Sequence, residues 1–180
     1  MSYVALGGTT VEALERLSYR LAKLAAYLSA IIVCYMLGHI MLEIALRVFL
    51  SKSTYVLDEF VAYATAAITF LCLAYALHDN ALIRVGILLH RLRGKARLVF
   101  EIFSVATTLV LIGILTYYFW TKTFWRDLKL HRLSESIAEI PLWIPELFAV
   151  IGLFLFMLQL LTMLLSLIFK GLPATKEVEE

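Results

Sequence analysis

Four apolar stretches, each roughly as long as a bilayer is thick, decide what this chain can fold into. They run over residues 24–50, 56–78, 98–120 and 144–169, and a helix needs roughly 20 residues to cross a hydrocarbon core of about 30 Å. Lipid offers nothing to unpaired backbone groups, so a spanning segment is either a helix or a strand of a closed barrel. The alternating ten-residue pattern of barrel strands is missing from all four stretches. The expected fold is therefore all-α: a polytopic membrane protein with four transmembrane helices in one membrane domain. Composition agrees, since 62% hydrophobic and 17% charged residues with a mean hydropathy of +0.89 are too apolar for an ordinary soluble domain of this length.

The distribution of charge says more than its net value of +2. Ten basic residues fall in the N-terminal segment (Arg16, Arg20, Lys23), the second loop (Arg84, Arg91, Arg93, Lys95, Arg97) and the tail (Lys170, Lys176). Six fall on the other side: Arg47, Lys52, Lys122, Arg126, Lys129 and Arg132. By the positive-inside rule both termini and the second loop are expected in the cytoplasm. Tyr117, Tyr118, Trp120, Trp125 and Trp143 gather around the third connection, residues 121–143, where aromatic side chains anchor the outer interface. Nothing in this charge pattern points to a nucleic acid.

Two further segments read as amphipathic surface helices rather than spans. In the segment of residues 10–23, Leu14, Leu17, Leu21 and then Leu24 recur at helical intervals opposite Glu15, Arg16, Arg20 and Lys23, with Thr9 and Glu12 at capping-box spacing. Residues 81–96 place Ala81, Val85, Leu88 and Leu92 on one stripe, with Arg84 and Arg91 largely off it. The charged residues ahead of the first span, and the lack of a small-residue cleavage site after it, predict a retained anchor. Pro141 and Pro145 punctuate the entry to the last span, and Gly171 with Pro173 its exit into the tail at 170–180.

Ionisable residues inside or beside an apolar run are the natural candidates for function. His39, Glu43 and Arg47 are four apart and share a face of the first span. Asp58 and Glu59 open the second span across a short loop from Arg47, which predicts a charge-assisted pair that organises the hairpin. The stripe reads either as a proton or ion path or as a face satisfied by protein, through Glu43 with Arg47 and through acids of the second span. Isolated Gly38, Gly113 and Gly152 are expected to allow close helix approach. Arg84, Arg91, Arg93, Lys95 and Arg97 are candidates for lipid headgroup contact.

No two histidines share a helix at ligand spacing, and the chain has neither a phosphate-binding glycine loop nor a nucleophile elbow. A non-enzymatic chain without cofactor or metal is the expectation. Two other readings stay open: a membrane anchor of a redox complex, with haem on His39 or His78, and a small homo-oligomeric channel. Four spans without a repeat or a mid-helix break are too few for a self-sufficient secondary transporter.

The order of these features resembles the small membrane subunit of tripartite ATP-independent periplasmic (TRAP) transporters, the DctQ-like or Q subunit. The resemblance covers residues 24–169: four spans, Arg47 ending the first, Asp58 and Glu59 opening the second, and a basic amphipathic inner loop. In that loop Leu82-Ile83-Arg84-Val85-Gly86 stands where the family often has H-I-R-V-D, and residues 138–152 (AEIPLWIPELFAVIG) look similar too. The resemblance implies a non-catalytic scaffold in the bacterial inner membrane. Its implied partners are a large multi-span subunit that carries the sodium and substrate sites and, transiently, a periplasmic substrate-binding protein that delivers an organic acid. It also implies that the small subunit braces the elevator-type movement of the large one.

Overall fold

The computed structural model describes residues 2–79, 95–134 and 136–170. The helices are α1 (Ser2–Leu50), α2 (Leu57–His78), α3 (Lys95–Tyr118), the short α4 (Trp125–Lys129) and α5 (Trp143–Lys170), with a π-helical stretch, Phe119–Phe124, joining α3 to α4. Among the described residues the only extended pairing is an isolated bridge between Leu133 and Pro141. Four helical stretches, Val11–Leu50, Leu57–His78, Ala96–Lys129 and Trp143–Phe169, are long and apolar enough to span a membrane. The fold is all-α, as the apolar run lengths predict. Most of the second amphipathic segment, with Arg84, Arg91 and Arg93, and the tail beyond Lys170 lie outside the described residues.

Helix α1 is 49 residues long, or about 70 Å at 1.5 Å per residue. It is unbroken across residues 23 and 24, where the sequence places the junction between surface segment and span. A helix of more than twice the hydrocarbon thickness is either steeply inclined or extends well past the bilayer. Its N-terminal half is held to the bundle by small buried residues at helical spacing, Ser18, Ala22, Ala25 and Ser29. Ser18 donates a hydrogen bond to the Gln159 side chain of α5, and both are buried. Ser29 instead closes on its own helix, donating to the Ala25 carbonyl at 2.9 Å.

The same logic builds the centre. In lipid, helices associate through close packing and interhelical hydrogen bonds, so small residues mark the contact lines. α2 buries Ala64, Ala67, Leu71, Ala74 and Leu77, every third or fourth residue. α5 meets this stripe at Gly152, where an added Cβ would fall 2.4 Å from the backbone carbon and oxygen of Phe70. No other residue fits there. α5 is the central element, packing on α1, α2 and α3. At its far end Phe156, Leu160 and Leu167 close on Leu77 of α2 and Val105 of α3.

Gly38 and Gly113 do not play the part expected of them. A Cβ at either would meet nothing within 4 Å: Gly38 is exposed on α1, and Gly113 borders an open hollow between α3 and Phe154 and Met157 of α5. Helical hydroxyls are satisfied locally: Thr69 and Thr108 each donate to the carbonyl four residues earlier, at 2.8–2.9 Å, as does Thr65 at 2.7 Å beside Met36 of α1. That geometry lets a hydroxyl sit in lipid without a second helix.

The third connection is shorter than the sequence implies. Residues 121–129, expected in a loop, remain helical through the π-helical stretch and α4. No glycine or proline interrupts them, and ring packing holds the turn. Trp120 stacks on Phe124 at 5.2 Å and on Trp125 at 6.4 Å, and its edge meets Phe154 of α5 at 6.0 Å.

Candidate functional site

The α1–α2 corner is built around Glu43. This carboxylate is buried, with 1% of its surface exposed, yet four donors converge on it. Arg47 Nε donates to one oxygen at 2.9 Å, joined there by the Ser53 hydroxyl. The other oxygen accepts from the Thr54 amide at 3.1 Å and the Thr54 hydroxyl at 2.6 Å. A helix's own i, i+4 spacing brings Arg47 over Glu43, while a left-handed Ser51 (φ 51°) ends α1 and folds the chain back. Tyr55, with φ 59°, makes the second reversal. Glu43 is thus the internal cap of the connection.

This corrects the expected pairing. The ion pair of Arg47 is with Glu43, not with Asp58 or Glu59. A residue four positions away on the same helix needs no loop closure to be reached, whereas the α2 acids project from a separate element. Arg47 still leaves more than half of its side chain exposed. With Ser51, Lys52, Ser53, Tyr55, Leu57 and Asp58 it lines an open hollow of about 440 Å³.

Asp58 and Glu59 have different surroundings because consecutive helical residues point about 100° apart. Asp58 is exposed at the rim of that hollow. Glu59 turns the other way, accepting from the Tyr63 hydroxyl at 2.6 Å and from the Ser136 hydroxyl in the loop before α5. It ties α2 to a segment 77 residues later. Ser136 is held in turn by Ser134 at 3.1 Å.

His39 lies one turn before Glu43 but joins no polar network. Its ring stacks near-parallel on Tyr35 at 5.8 Å and meets Phe60 edge-on at 5.5 Å. Nδ1 is buried without a hydrogen-bond partner among the described residues. The polar stripe therefore ends in aromatic packing rather than continuing into the bundle. His78 belongs to the opposite end of α2, about 27 Å along the helix from Phe60, where it packs on Tyr19 at 4.4 Å. Among the described residues no three His, Cys, Asp or Glu side chains converge as metal ligands would.

A second polar cluster escaped the sequence reading. Asp127 of α4 is buried and accepts from Arg126 Nε at 2.9 Å and Arg132 Nη1 at 3.5 Å. The Arg132 amide also donates to the Asp127 carbonyl at 3.2 Å, and the Leu142 amide to the Arg132 carbonyl at 3.1 Å. Glu146, in the first turn of α5, adjoins Asp127 and keeps Oε2 buried. The cluster clamps the α4–α5 loop onto the start of α5. The only sequence signal for it is the presence of acids at helix ends near Pro145 and Trp125, which does not reveal their mutual contact.

The expected aromatic anchors border this loop. Trp120 and Trp125 are partly exposed, Lys129 Nζ lies 5.1 Å from the centre of the Trp125 ring, and Trp143 begins α5. Of the inner-arm candidates, Arg97 is described at the start of α3, half-buried, with Nε buried. Lys95 opens that helix.

The polar groups at this end, then, close corners and hold loops. The family model described as "Tripartite ATP-independent periplasmic transporters, DctQ component" matches residues 36–170, which takes in the Glu43 corner, the Glu59 tie, the Asp127 clamp and all of α5. No curated protein and no solved structure gave a significant match. The match spans well over half of the chain, and this multi-pass membrane protein belongs to the DctQ family, the small membrane component of TRAP transporters.

Proposed function

We propose that this chain is the static, non-catalytic brace of a sodium-driven importer of an organic acid in the bacterial inner membrane, with both termini cytoplasmic. Membership of the family implies a large membrane subunit and a substrate-binding protein as partners. The brace widens the fixed scaffold against which the large subunit carries out its elevator-type movement. One observation carries this reading: the carboxylates of Glu43, Glu59 and Asp127, at the α1–α2 corner and the α4–α5 loop, bind groups of this same chain. Glu43 holds the α1–α2 connection, Glu59 the loop before α5, and Asp127 the turn after α4. A transport site needs polar groups that change partner, whereas these have theirs within the fold.

On this reading Glu43, Glu59 and His39 shape the corner from within. Arg47, Lys52 and Asp58 form the surface turned to the large subunit or the binding protein. Trp120, Trp125 and Trp143 set the depth of the outer end, and Arg84, Arg91, Arg93, Lys95 and Arg97 hold the inner arm at the headgroups. Reconstitution into proteoliposomes tests the proposal. Uptake driven by a sodium gradient is expected to need both membrane chains, and undiminished uptake by the large subunit alone would refute the brace.

A further inference from the structure

The N-terminal half of α1 has two unlike sides. One, through Ser18, Ala22 and Ala25, is buried on the bundle. The other exposes Arg16, Arg20 and Lys23 together with Leu17 and Leu24, which are 52% and 64% exposed; this corrects the expected split, because the buried side is the small-residue line of Ser18, Ala22 and Ala25 and not the leucine stripe.

Their height along the bundle follows from a ring contact. Tyr19 lies 4.4 Å from His78, the last residue of α2, and 6.5 Å from Tyr75. Lys23 Nζ is 5.9 Å from the ring centres of both Tyr19 and Tyr27. The bases are thus level with the point where α2 leaves the apolar layer, and leucines stand among them. Cations beside exposed leucines and tyrosines at that level suit the boundary between headgroups and acyl chains.

We propose that this face of α1 is a binding surface for anionic phospholipid. Arg16, Arg20 and Lys23 hold the headgroup phosphates, and Leu17 and Leu24 lie along the first part of the acyl chains. The site is separate from the basic inner loop and does not depend on the brace reading.

The full chain in neutral detergent, titrated with phosphatidylglycerol or phosphatidylcholine, provides the test by native mass spectrometry. A basic residue near an anionic surface strengthens binding about fivefold. The triple variant R16Q/R20Q/K23Q is expected to lose at least about tenfold in phosphatidylglycerol affinity, with phosphatidylcholine retention unchanged. Arg20→Gln alone, expected to lose about fivefold, keeps the test decisive if the triple variant does not fold. Unchanged phosphatidylglycerol retention in both variants overturns the proposal. So does an equal loss of both lipids, or stabilisation of the wild type by inorganic phosphate to the same degree. Retained lipid with loss of the co-purifying large subunit also overturns it, because the face would then belong to a protein contact.

Discussion

Glu43 and Asp58 stand at the same corner and carry the same functional group, but one is buried beneath four donors and the other looks into an open hollow. The difference separates two uses of charge in an apolar chain. A carboxylate enclosed by donors from its own connection is part of the fold. One left at a rim, beside a half-exposed arginine, is surface. The glycines repeat the contrast without charge: Gly152 lies against the Phe70 backbone, whereas Gly38 and Gly113 face open space.

The largest effect should come from the glycine version of this contrast. Gly152→Leu forces α2 and α5 apart and is expected to destabilise the chain by about 3 kcal/mol or more, read by thermal unfolding in detergent. Gly113→Leu should stay within about 0.5 kcal/mol in the isolated chain; an equal loss at both positions would break the distinction. Next is Glu43→Ala, which removes the acceptor of the Thr54 amide. Hydrogen exchange at that amide should quicken by about tenfold, while Asp58→Asn leaves it unchanged. A smaller effect belongs to Ser18→Ala, which removes one buried interhelical hydrogen bond and should cost about 1 kcal/mol. Smallest in the isolated chain is Asp58→Asn, within about 0.5 kcal/mol; its consequence is expected in co-purification with the large subunit.

These contrasts also mark what can be read from sequence. The four helices are legible because apolar run length and the membrane's thickness leave little choice, and α2 and α5 begin and end within a residue of the apolar limits. The candidate residues at the corner were legible as a group, and the Glu43–Arg47 pair was one reading of the stripe, but the surroundings of Asp58 and Glu59 were not legible. Glu43 and Arg47 satisfy the i, i+4 rule, while the orientation of Asp58 and Glu59 depends on the rotation of α2, which its neighbours set. Gly38, Gly113 and Gly152 are equivalent as letters, and only the packing of α2 against α5 tells them apart. The continuation of α3 through Phe119–Phe124 rests on rings of Trp120, Phe124, Trp125 and Phe154 meeting in space. The Asp127 clamp likewise joins residues from both sides of a loop, a contact with no local signature.

On the proposed reading, this chain keeps one shape while its partner moves. A reversible cross-link within the chain tests it most directly. Glu59→Cys and Ser136→Cys, in a background with Cys34 and Cys72 replaced by serine, would be joined by a short bifunctional thiol reagent. Sodium-driven uptake by the reconstituted complex would then be compared before linking, after linking and after reduction. A static brace predicts the same uptake in all three conditions. Uptake that falls on linking and returns on reduction would show that α2 and the loop before α5 must move apart during transport, and would rule out a static brace.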